Sequence, residues 1–100
     1  MLNMKLIKRN TEGELQLIGR LDTNTAADAE AHMVAAAERF DSLVLNLEQL
    51  DYVSSAGLRA LKRAYLAMRR KGGVLALKNV TKPVMEVLEI AGFAGLLKII

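Results

Sequence analysis

Residues 50–61, LDYVSSAGLRAL, set two adjacent serines, Ser54 and Ser55, and a glycine, Gly57, where an apolar stretch turns into a helical pattern. A serine there has three chemical uses: nucleophile, helix cap, or acceptor of a phosphoryl group. The nucleophile is poorly supported, because the elbow G-x-S-x-G is absent and the only histidine, His32, sits in an alanine-rich helical segment. One His and no Cys leave only scattered carboxylates for a metal. The phosphate loop G-x-x-x-x-G-K-[ST] is also missing, and KGG at 71–73 reads as a helix stop. The chain is therefore expected to have no catalytic residue, no cofactor and no metal. Two uses of the serines remain open. Ser55 reads as the N-cap of the following helix, a role worth about 1 kcal/mol. The same free amides and positive dipole end favour an anion.

The elements that position these residues follow from periodicity. MKLIKR (4–9) and ELQLIGR (14–20) alternate and flank NTEG, which predicts an antiparallel hairpin. From Thr25 or Asn24 as N-cap, Ala26, Ala29, Met33, Ala36, Ala37 and Phe40 recur at helical spacing, predicting a helix over about 25–39. SLVLNL (42–47) is almost continuously apolar, the pattern of a central strand buried on both faces. EQLDYV (48–53) reads as a short connection.

A helix then carries Leu58, Leu61, Tyr65 and Met68 on one face and Arg59, Lys62, Arg63 and Arg70 off it, and ends at Gly72 and Gly73. VLALKN (74–79) reads as another buried strand. In TKPVMEVLEIAGF, Val84, Val87, Leu88 and Ala91 keep helical spacing between Pro83 and Gly92. The order β, β, α, β, α, β, α predicts a single α/β domain over 1–100, with parallel β-α-β units, helices packed on a mixed sheet, and an antiparallel first strand at or near its edge.

Fourteen Lys and Arg against eleven Asp and Glu give a formal charge of +3, and the excess comes mainly from LKRAYLAMRRKGG (61–73). No aromatic platform or base-reading motif accompanies that charge, so a solvated helix face is expected and direct nucleic-acid binding is not. The absence of cysteine excludes disulfides and thiol chemistry and fits a reducing compartment, the cytoplasm. No apolar run approaches the roughly 18 residues of a membrane span, and the N-terminus does not read as a signal peptide.

Two stretches, GRLDTNTA (19–26) and LDYVSSAGLRAL (50–61), together resemble the STAS family of bacterial anti-sigma factor antagonists. The closing LEIAGFAGLLKI (88–99) is similar to that family's last helix and its exit. The resemblance implies a phosphorylated serine in the motif D-S-[ST]-G-L. Matching Gly57 and Leu58 to G-L puts Ser55 at the phosphorylated position, with Ser54 the alternative acceptor. Ser54 stands where the motif has aspartate, Ala56 where it has a second hydroxyl residue, and Asn46 where many relatives have another acidic group.

What the resemblance implies further is a non-enzymatic switch. Its partners are an anti-sigma factor that is also a serine kinase, which supplies nucleotide, metal and base, and a metal-dependent phosphatase of the PP2C type. Asp22, Thr23, Ser54, Ser55, Ala56, Gly57, Leu58, Arg59 and Lys62 are the expected partner-binding residues. Asp22 matches an acidic residue that relatives place beside the phosphorylated serine, while on its own it reads equally as a loop or capping carboxylate. The competing expectation is an accessory or scaffold subunit of a membrane-transport or lipid-transport complex, never phosphorylated.

Overall fold

A computed structural model describes residues 1–100. The chain runs β1 (Leu2–Arg9), β2 (Glu12–Leu21), α1 (Ala26–Arg39), β3 (Ser42–Asn46), β4 (Leu50–Val53), α2 (Ser55–Arg70), β5 (Val74–Lys78), α3 (Lys82–Ile90) and β6 (Lys98–Ile99). The six strands form one mixed sheet in the order β1-β2-β3-β5-β6, with β4 also paired to β2. Only β1 is antiparallel to its neighbour, and it lies at the edge. The hairpin is tighter than the sequence suggests: Asn10 takes a positive φ of 57° in the turn, and Glu12 and Gly13 already belong to β2. Asn tolerates that left-handed conformation better than most residues.

Strand β3 is central, between β2 and β5, but it is not buried on both faces as its apolar run suggests. Leu43, Leu45 and Leu47 are buried, whereas Ser42, Val44 and Asn46 are only partly covered. Of these alternate positions only Val44 is apolar, and the period of two makes it look continuous with its neighbours. Leu15, Leu17 and Leu21 of β2 share the covered face, and the core gathers there against Met33, Ala36, Leu61 and Met68 of α1 and α2. On the open face Glu14 accepts from Asn46 Nδ2 at 3.1 Å and from Gln16 Nε2 at 3.4 Å, and its other oxygen lies 3.5 Å from Lys78 Nζ. The Asn46 hydrogen bond is the main reason the Glu14 carboxyl is held below its usual range; burial opposes it, and Gln16 and Lys78 add to it.

Residues 48–53 are more than a connection, because Leu50–Val53 form β4. β3 pairs with β2 over Glu12–Gln16, the chain turns at 47–49, and β4 takes up the same edge of β2 over Gly19–Leu21. Leu50 N donates to Leu47 O at 3.1 Å and Gly19 N to Gln49 O at 2.9 Å, which closes the step. Four residues are too short to display a period, so the strand is invisible without its partner. At the other end, residues after α3 turn and return as β6, which pairs with β5. The pattern of 88–99 shows the end of the helix and its exit, but not this strand.

Candidate functional site

Strands β2 and β4 are parallel, with Leu21 opposite Val53, so they end side by side. Ser54 N donates to Leu21 O at 2.9 Å and extends that ladder by one bond. The register brings Asp22 next to Ser54, although 32 positions separate them in the chain (54 − 22). In parallel sheets, loops at the C-terminal ends of strands are where binding groups collect.

The first junction closes on itself. Asp22 Oδ1 accepts from Asn24 N at 3.0 Å, Thr25 N at 3.2 Å and Thr25 Oγ1 at 3.3 Å. Thr25 Oγ1 also accepts from Asp22 N at 2.9 Å and lies 2.9 Å from Arg20 O. Thr25 precedes α1 as expected, but its side chain makes no cap hydrogen bond to the helix. The Asp22 carboxylate organises that entry instead. Burial alone would raise its pKa; the amides of Asn24 and Thr25 and the Thr25 hydroxyl outweigh this and hold it below the ordinary range. Thr23 is exposed on the same loop.

The second junction is open. Ser54, not Ser55, is the N-cap of α2: its Oγ accepts from Gly57 N at 3.2 Å and its backbone oxygen from Leu58 N at 2.9 Å. Ser55 is the first helical residue, exposed, with a hydroxyl that has no partner. The amides of Ser55 and Ala56 have no intrahelical acceptor and face the positive end of the helix dipole. The expectation that Ser55 caps the helix is therefore corrected. Two adjacent serines both fit a cap by residue type, and only the backbone angles of Ser54 (φ −96°, ψ 176°) decide which one precedes the first turn.

Gly57 makes the junction possible. A Cβ there would lie 2.8 Å from both Leu21 Cγ and Leu21 O and 2.9 Å from Val53 Cγ2. The first turn of α2 sits directly on the ends of β2 and β4, which only glycine permits. Leu58 is half-buried and packs on the core, Ala56 is partly buried, and Arg59 and Lys62 are exposed one and two turns along the helix. Asn46 is not at this end: it pairs in register with Gln16, roughly 16 Å down β2 from Leu21 at about 3.3 Å per residue. His32 is exposed on α1, and its Nδ1 lies 2.9 Å from Asp28 O of its own helix.

Two residues of this surface escaped the sequence reading. Arg20 and Tyr52 are register partners on β2 and β4, and the guanidinium lies 4.3 Å from the ring centroid. Arg20 Nε is also 3.8 Å from Asp22 Oδ2. Arg20, Asp22, Tyr52 and Ser54 alternate with buried Leu21 and Val53 and so share one face. The signal was the parity of these positions, which has meaning only once residues 50–53 are known to be a strand.

A small α/β domain of this topology, with a serine at the start of α2 beside an organised acidic loop, defines a fold class. The STAS domain family model matches residues 3–100, and the chain belongs to that family. It is 35% identical over 96 residues to BtrV of Bordetella bronchiseptica, provisionally named an anti-sigma factor antagonist, covering 93% of this chain and 83% of that one. The fold is shared with the phosphorylated form of the Bacillus cell fate determinant SpoIIAA (TM-score 0.73, 17% identity, 100% of this chain and 91% of that one). It is also shared with a sulfate transporter family protein of Wolinella succinogenes (TM-score 0.80, 16% identity, 93% of this chain and 79% of that one).

Proposed function

We propose that this protein is an anti-sigma factor antagonist and acts in the cytoplasm as a non-enzymatic switch. Unphosphorylated, it binds an anti-sigma factor that is also a serine kinase, through Asp22, Thr23, Ser54, Ser55, Ala56, Gly57, Leu58, Arg59 and Lys62. Transfer of a phosphoryl group to Ser55 releases the partner, and a PP2C-type phosphatase restores the binding form. The observation that carries this reading is the contrast within the serine pair: the Ser54 hydroxyl is occupied by Gly57 N, while that of Ser55 is exposed and free. The relative named as an anti-sigma factor antagonist supports the partner class. The lone histidine is engaged with its own helix, which favours accepting a phosphoryl group over hydrolytic chemistry.

The electrostatics favour release without unfolding. A phosphate adds about −1.5 to −2 charges at neutral pH. In the free domain it would sit at the positive end of α2, worth roughly 0.3–2 kcal/mol, with Arg59 one turn away on the same helix face. Against a partner carboxylate about 6 Å away, repulsion is roughly 3 kcal/mol per unit charge at an effective dielectric near 20. The partner term wins. Affinity should fall at least about a hundredfold, since each 1.4 kcal/mol is a factor of about ten.

The test is phosphorylation by the cognate anti-sigma kinase, with the site mapped by mass spectrometry and partner binding and thermal unfolding measured on the same sample. Modification at Ser55, lost binding and an unchanged melting temperature are expected. Wild-type phosphorylation of a Ser55→Ala variant would move the acceptor to Ser54. The likeness to a transporter-family protein favours one other reading, a STAS subunit that docks a partner through the same loop and is never phosphorylated. Unmodified Ser55 in protein from its native cells, beside transporter genes rather than a kinase gene, would select that reading.

A further inference from the structure

Helix α2 carries Arg59, Lys62, Arg63, Arg69 and Arg70 and no acidic residue. Arg63 is paired with Glu30 of α1 at 3.1 Å, and Arg69 reaches the Tyr65 hydroxyl at 3.4 Å. Arg59, Lys62 and Arg70 are exposed, with no carboxylate partner of their own. At about 100° per residue, positions 59, 62, 63, 66 and 70 fall within an arc of about 100°, so the cations surround Leu66 on the outward stripe of the helix.

Helices α1 and α2 lie side by side and parallel, since Glu30 meets Arg63 and the Ala37 carbonyl meets Lys71 Nζ at nearly constant sequence offset. Between them runs an open groove of about 350 Å³ whose floor is Val34, Leu66 and Ala67, all partly buried, and whose walls are Glu30, Arg63 and Arg70. Leu66 is about 16 Å along the helix from Ser55 at about 1.5 Å per residue. The groove is thus a different surface from the serine junction.

We propose that this groove docks an acidic amphipathic helix of a partner protein. Its apolar side chains would seat on Val34, Leu66 and Ala67, and its carboxylates would meet Arg63 and Arg70 in the wall. A narrow apolar floor between two parallel helices matches the stripe of a third helix. A second copy of this chain is disfavoured, because a two-fold contact through this face would set the same cations against themselves. A bilayer fits less well, because the floor is recessed between the two helices. Nucleic acid would find no aromatic side chain in this lining to stack on.

The test uses the full chain labelled with 15N and a synthetic helical peptide of about 16 residues, with leucine at every third or fourth position and glutamate on the polar face. The expected result is perturbation of the Val34, Leu66 and Ala67 amides, and a loss of at least about tenfold in affinity for Arg70→Glu, a change on an exposed side chain outside the proposed switch surface. A Ser55→Asp variant should bind the peptide as the parent does, which separates this groove from the proposed switch. Equal binding of a lysine-for-glutamate peptide would overturn the proposal. So would perturbation centred on other residues, or stronger perturbation of the same amides by phosphatidylglycerol vesicles or duplex DNA.

Discussion

The two strand ends that meet at the start of α2 are built from the same kinds of residue and behave oppositely. After β2, the loop bonds to itself: the Asp22 carboxylate holds two amides and a hydroxyl, and Thr25 bonds back to the strand. After β4, one serine is consumed as a cap and the next is left exposed beside two unpaired amides. The difference separates groups spent on holding the frame from one left free. Asp22 and Ser54 maintain the geometry, so a change at Ser55 alters charge at the surface with little effect on the fold.

That separation is open to direct attack. The largest stability effect should come from Gly57→Ala, because the new methyl would meet a backbone oxygen and two core side chains at under 3 Å. Overpacking costs about 1–3 kcal/mol, and the upper part of that range applies here because the Leu21 carbonyl oxygen is backbone and cannot swing aside. The helix propensity gained, about 1 kcal/mol, offsets only part of it. Thermal unfolding should show a loss of about 4–8 °C per kcal/mol, and an unchanged melting temperature would mean that the two strand ends yield easily.

Next in size is the serine pair. Ser54→Ala should lose about 1 kcal/mol by removing the cap. Ser55→Ala should stay within about 0.5 kcal/mol, as for an exposed residue without partners. Urea titrations of both variants decide this, and equal losses would mean that the two hydroxyls share the cap. Partner binding by Ser54→Ala, measured where the variant is folded, should remain closer to the parent than binding by the Ser55 phosphoprotein.

The smallest effect concerns acid. Both Glu14 and Asp22 have folded pKa values below their ordinary ones. A lowered folded pKa contributes stability that is complete above the unfolded value, near 4, and is lost as pH falls through the folded value. Stability should therefore be flat above about pH 5 and decline below about pH 4. Asp22→Asn and Glu14→Gln should each flatten that decline. Guanidinium midpoints measured from about pH 7 to 3 would test it, and parallel curves for parent and variants would assign the acid sensitivity to other groups.

How much of this was legible beforehand differs by element. The helix over 26–39 and its buried Ala, Met and Phe positions were readable, because a long segment repeats its period often enough to be distinctive. The edge hairpin and the central place of β3 were readable as well. Strands β4 and β6 were not: with four and two residues they have no period of their own and exist through hydrogen bonds to β2 and β5. Of the expected docking residues, Asp22, Thr23 and 54–58 are brought together at one end of the sheet, and Arg59 and Lys62 follow along α2.

The chain's own order of residue types determines that a glycine follows two serines at a helix start, that α2 is basic along its outward stripe, and that an aspartate precedes α1. These are local properties, set by composition and by spacing within a few residues. Which serine caps the helix, which carboxylate is spent on its own loop, and whether Arg20 meets Tyr52 are decided by the register of β2 against β4. The physical reason is that a cap hydrogen bond or a cross-strand contact depends on shifts of one residue, which flip a side chain from one face to the other. That shift is set by the packing of Leu21, Val53 and Gly57, and no segment of the sequence contains it alone.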